Sequence, residues 1–225
     1  MDCKLDSLCR QMNGRLESQC KDTKNKSMAE KKNAISYESI MKDLKARKFA
    51  PVYVLMGDEP FYIDKICDYI AENVLQPEER DFNQTVLFGA DTTAVQVVDQ
   101  CKGYPMMAEF RVVIVKEAQN LKSLDALEKY LEKPVKSTVL VICNKNGSID
   151  RRKKFIPRAE QVGVVFESKK LYDRQLPGFI ETYLKARKAT IEPKAVQMVA
   201  DHIAADLHRL TSDLHTLLIS LPDSD

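Results

Sequence analysis

An apolar run, PVYVLMG, ends at Gly57 and meets Asp58, Glu59 and Pro60, the pattern of a strand passing into a helix. In an α/β protein that junction is where backbone N–H groups and a helix N-terminus hold phosphate. The stretch GDEPFYID lacks the second glycine and the Lys-Ser/Thr of a phosphate-binding loop, and its two carboxylates put negative charge where a phosphate would lie. Asp58 is expected to cap the following helix, with Pro60 in its first turn. A second run, RVVIV, leads into Lys116 and Glu117, where a nucleotide hydrolase needs an Asp to hold Mg²⁺ through its water shell. Lysine cannot do that. Two independent parts of a phosphoryl-transfer site are therefore missing, and no nucleotide, metal or other cofactor is expected.

Other chemistry is sparse. His202, His208 and His215 are spaced by six and seven residues, which does not put a pair on adjacent helical turns as metal ligands require. No GxSxG, HExxH or Cys-His-Asn signature is present, so no catalytic residue is assigned. Arg151, Arg152, Lys153 and Lys154 form a basic run, with Lys169 and Lys170 further on. Such clusters can contact DNA phosphates, but without interleaved aromatics or a recognition helix a solvated helix start is the commoner explanation. In GYPMMAEF, Gly103 can end a helix, Pro105 stiffens the connection, and Met106 and Met107 follow Tyr104 closely. The two methionines either fill gaps beneath a sheet edge or protrude, with the tyrosine, to enter a partner's apolar pocket.

These residues need a scaffold. The 225 residues carry 35 Lys and Arg against 33 Asp and Glu, so net charge gives no general case for a polyanionic partner. The six cysteines include no CxxC pair, and Cys67, Cys101 and Cys143 fall in apolar segments, which suits a reduced, cytoplasmic protein. No apolar stretch is long enough to cross a membrane as a helix. Residues 1–33 are polar and are expected to form a disordered arm. From Ile35 onward, helical periodicity alternates with PVYVLMG, NQTVLFG, RVVIV, STVLVICN and VGVVFES. Five such runs interleaved with helices predict an α/β domain over 34–168 with a mostly parallel sheet covered on both faces. Over 169–225 the segments LYDRQLPGFIETYLKARK, EPKAVQMVADHIAA and DLHRLTSDLHTLLIS predict a small three-helix domain.

Taken together, FAPVYVLMGDEPFYID, GYPMMAEFRVVIVKEAQNL, IDRRKKF before VVFES, and DLHRLTSDLHTLL resemble the delta subunits of bacterial DNA polymerase III clamp loaders over residues 35 to 220. The resemblance implies a degenerate AAA+ domain with a five-stranded, mostly parallel sheet, a helical lid, and a C-terminal collar that this sequence is expected to lack. It implies a DNA replication factor without activity of its own, part of a nucleotidyltransferase complex. Such a subunit binds and opens the ring-shaped sliding clamp (the beta subunit) beside gamma/tau and delta prime subunits, and reaches primed DNA through the complex. Carried onto this sequence, the clamp-binding residues are Tyr104, Met106 and Met107. A typical AAA+ lid places an Arg where His208 stands, with Arg209 next. The rival expectations are a divergent nucleotide hydrolase and a DNA-binding module using Arg151, Arg152, Lys153, Lys154 and Lys169.

Overall fold

The computed structural model describes residues 35–151, 154–202 and 206–220; the polar segment 1–33, with Cys3, Cys9 and Cys20, and the basic residues Arg152 and Lys153 lie outside them. Helix α1 (Tyr37–Lys45) leads into strand β1 (Val52–Gly57), followed by α2 (Pro60–Asn73), α3 (Pro77–Asn83), β2 (Gln84–Phe88) and α4 (Ala94–Lys102). Strand β3 (Arg111–Lys116), α5 (Asp125–Tyr130), β4 (Thr138–Lys145), α6 (Phe155–Val162) and β5 (Val164–Ser168) complete the α/β part. The helices α7 (Leu176–Lys185), α8 (Pro193–His202) and α9 (Leu207–Ser220) follow. The strands form one sheet in the order β2-β3-β4-β1-β5, with every named pair parallel.

The continuous apolar runs become strands because helices cover the sheet on both faces, so neither side of a strand must be polar. In β1 all six residues are buried. Val52, Val54 and Met56 join Val113, Val115, Leu140 and Ile142 in one core, closed by residues of α4, α5 and α6 such as Val97, Leu127 and Phe155. Tyr53 and Leu55 join Val112, Ile114, Val141 and Cys143 on the other face, against Ile63, Ile66, Cys67 and Ile70 of α2. That stripe has the i, i+3, i+4, i+7 spacing of a single helix face. A third cluster gathers Leu176, Ile180, Leu184, Val196, Leu207, Leu210 and Leu214 around Phe61, the second residue of α2. Phe61 thereby ties the C-terminal helices to the sheet part.

The five strands and the three C-terminal helices fall where the sequence predicts them, and two further helices appear. The α3 segment PEERDFN buries only Asn83, so it has no apolar period to detect. The α6 segment is too short for its three buried residues to reveal a period. The cap of α2 also differs from expectation. Glu59, not Asp58, is the N-cap, and its Oε1 accepts from the Phe61 N–H at 3.1 Å. With Pro60 at the first helical position, the cap must be the residue immediately before it.

Candidate functional site

In a parallel sheet all strands share one C-terminal end, and the Gly57 loop lies there. Gly57 adopts φ 134°, a region that favours glycine, and a Cβ placed on it would overlap the carbonyl oxygen of Ser168. The Gly57 N–H donates to Gly147 O at 3.0 Å, and those of Asp58 and Glu59 donate to Ser168 O at 3.0 and 3.5 Å. Phe61 N–H goes to Glu59, and Pro60 has no N–H to give. From Gly57 to Phe61 the backbone donors are thus committed within the chain, and a carboxylate sits where an anion would approach the helix.

Glu59 is 3% exposed. Burial raises its carboxyl above the ordinary glutamate range, offset by the Phe61 N–H and the nearby His208 and Lys170 charges. Further along α2, Asp64 accepts from Lys145 Nζ at 2.6 Å and lies 3.3 Å from His208 Nε2. The His208 ring also meets Phe61 edge-on with centroids 5.3 Å apart. This cluster joins α2, the end of β4 and the start of α9, across the crevice between the sheet and the C-terminal helices. Lys116 ends β3, as its sequence position implied. No group of three or more His, Cys, Asp or Glu that could hold a metal occurs among the described residues.

At the opposite end of the sheet, the segment between α4 and β3 forms an exposed tip. Tyr104 is 86% exposed, Met106 61% and Met107 100%. Packing beneath the sheet edge, the alternative raised by the sequence, does not describe these side chains. Met107 has φ 53°, in the left-handed region that an L-residue adopts only under local constraint. Both flanks of the tip are anchored. Arg111 donates through Nη2 to Gln100 Oε1 at 2.7 Å, and its guanidinium lies 3.1 Å from where a Cβ on Gly103 would stand. Phe110 meets Phe49 edge-on at 5.6 Å, and Ala108 packs against the α2 side of the core.

The middle of the tip is held from α3. Asn83, fully buried, donates from Nδ2 to Met106 O at 2.9 Å and to Glu79 O at 3.0 Å. Its Oδ1 accepts from Met106 N–H at 2.6 Å. Phe82, next in chain to Asn83, is itself exposed. Sequence reasoning does not find Asn83 or Phe82, because the link to Met106 spans 23 residues and carries no local periodicity. A cluster of exposed aromatic and thioether side chains on a fixed backbone suits burial in a partner's apolar pocket.

The predicted basic cluster is only partly brought together. Arg151 is paired, at 2.6 Å to Glu167 and 3.5 Å to Glu160. Lys154 is exposed at the start of α6. Lys169 is exposed after β5, where it lines a cavity of about 650 Å³ with Gly57, Asp58, Lys170 and Tyr172. Acidic neighbours Glu167 and Asp173 line the same cavity, so its charge is mixed.

A family model described as "DNA polymerase III, delta subunit" matches residues 53–169. The "DNA polymerase III subunit delta" of Bacillus subtilis (strain 168) is 25% identical over 196 residues, covering 83% of this chain and 56% of its own length. The solved structure of "Bacillus subtilis DNA clamp loader delta protein (YqeN)" superposes with a TM-score of 0.70 at 24% identity, covering 84% of this chain and 58% of that one. At that identity the structural likeness is one of fold. The chain spans about half the length of the curated relative it matches.

Proposed function

The chain belongs to the DNA polymerase III delta subunit family, and we propose that it serves a clamp loader as the part that grips the sliding clamp and opens its ring. The observation that carries this is the tip: Tyr104, Met106 and Met107 stand out from a turn whose flanks and centre are fastened to the body. Burying exposed apolar side chains of this size in a complementary pocket supplies about 1.5 to 3 kcal/mol each before ordering costs. A ligand shifts a conformational equilibrium only by binding one state better. The tip must therefore fit the opened or strained ring more closely than the closed one, and that difference is what drives opening.

In this proposal the chain performs no phosphoryl transfer. The committed donors around Gly57, the buried Glu59 and the lysine ending β3 all argue against a phosphate-binding role at the strand ends. ATP-dependent control falls to partner subunits, gamma/tau and delta prime, and primed DNA is reached through the assembled complex. Lys154 and Lys169 are the cations proposed to face that DNA, with Arg151 already neutralised by two glutamates. The test is a binding isotherm between this chain and the ring-shaped clamp, with a fluorophore pair across one clamp interface to report opening. Saturable binding with loss of energy transfer is expected. Absence of binding by the folded chain overturns the proposal.

A further inference from the structure

We infer that Asn83 is a positioning residue for the apolar tip, fixing the Met106 backbone so that both methionines are presented in one geometry before a partner arrives; this rests on the tip being the clamp-gripping surface. Among the described residues, no main-chain to main-chain hydrogen bond fastens Tyr104 through Met107. The turn has no ladder and no helix of its own to hold it. What it has is a two-point contact from one amide side chain, Oδ1 to Met106 N–H at 2.6 Å and Nδ2 to Met106 O at 2.9 Å.

An amide that receives the N–H and donates to the C=O of one residue mimics the pairing of a neighbouring strand, and it sets both the position and the orientation of that peptide. Asn83 is itself held, because Nδ2 also donates to Glu79 O within α3, and the side chain is wholly buried. A helix of seven residues with a buried Asn at its last position would be a poor element if stability were its only task. Its geometry makes sense as a bracket. With Met106 fixed, the next residue takes its left-handed φ and Met107 projects fully into solvent. A tip left free would have to be ordered on binding, which weakens association. Thioether side chains remain adaptable while their root does not, so the partner pocket meets soft groups on a hard mount.

The experiment is a double-mutant cycle on clamp affinity, pairing Asn83→Ala with Met106→Ala/Met107→Ala, alongside hydrogen exchange at the Met106 amide. Asn83→Ala alone is expected to weaken binding roughly 5- to 30-fold, the entropy of ordering about one residue's backbone. In the methionine-free background it is expected to change nothing further. Protection of the Met106 amide should fall while that of Val113 and Ile114 in β3 stays. Unchanged affinity in Asn83→Ala, with a large loss in the methionine variant, overturns the positioning role and leaves the gripping tip intact. Unchanged affinity in the methionine variant overturns the tip itself, a separable result. Equal losses from Asn83→Ala in both backgrounds make Asn83 merely structural and also overturn the inference. If Asn83→Ala does not fold, Asn83→Asp keeps the size and the acceptor for Met106 N–H but removes the donor, and the same cycle decides.

Discussion

Replacing Met107 by glycine separates the two reasons a residue could stand at that position. Met107 holds φ 53° and is fully exposed, so its side chain adds nothing to the core while its backbone is strained. A left-handed conformation costs an L-residue about 1 to 2 kcal/mol, and glycine removes that cost. Against this, glycine has more freedom to lose on folding, worth about 0.5 to 1 kcal/mol. Met107→Gly should therefore leave the fold as stable as before or more stable by up to about 1.5 kcal/mol. Binding should go the other way. Forgoing the burial of one Met side chain removes about 1.5 to 3 kcal/mol of gross affinity, or roughly 10- to 140-fold in Kd. Met107→Ala is the partner variant: it loses similar affinity but keeps the strain, so its stability does not rise. The assays are surface plasmon resonance against the immobilised clamp and urea unfolding followed by circular dichroism. If Met107→Gly binds within about two-fold of the unsubstituted chain, the side chain at that position is not part of a grip and the reasoning fails.

Glu59→Gln keeps an oxygen for the Phe61 N–H but cannot ionise. Because burial raises the carboxyl above its ordinary range, the folded state holds a proton more tightly than the unfolded one, and Glu59 loses stabilising effect as pH rises through that window. The stability of the variant relative to the unsubstituted chain, measured by urea unfolding from about pH 4 to about pH 8, should increase with pH; a decrease would contradict the assigned burial effect. Gly57→Ala forces a Cβ into the Ser168 carbonyl and should cost about 3 kcal/mol or more, seen as a large fall in Tm. Gly147→Ala has a similar φ of 144° with open space around it, so it should cost only the backbone strain, at the low end of about 1 to 3 kcal/mol, and equal losses at the two sites would show that the clash is relieved elsewhere.

The sheet was legible in the sequence because strands buried on both faces leave unbroken runs such as VYVLMG and TVLVIC, which few other environments tolerate. The stripe on α2 was legible because four residues at helical spacing all face one core. The cap of α2 lies one residue beyond the Asp that residue type favours, because the proline fixes where the helix starts. Residue types alone left Met106 and Met107 between core and surface, since methionine serves cores and interfaces alike; only the family resemblance pointed to a protruding pair. Asn83 was hidden for a different reason. Its role depends on a contact between two segments brought together by β2 and β3 pairing, and nothing in PEERDFN announces a partner 23 residues away. The pairing of Arg151 with Glu160 and Glu167 was likewise invisible until α6 and β5 were folded beside it.

Strand β3 begins at Arg111, just beyond the tip, and ends at Lys116 at the far edge, with β2 hydrogen-bonded along one side and β4 along the other. A pull applied at the methionines is delivered lengthwise into this strand, and to move it two ladders would have to shear together. The tip thus has the mechanical character of a hook brazed to a strut rather than of a finger on a hinge. Under the proposed role, a partner that closes on such a hook meets a rigid mount, and any yielding in the encounter has to come from the partner's side.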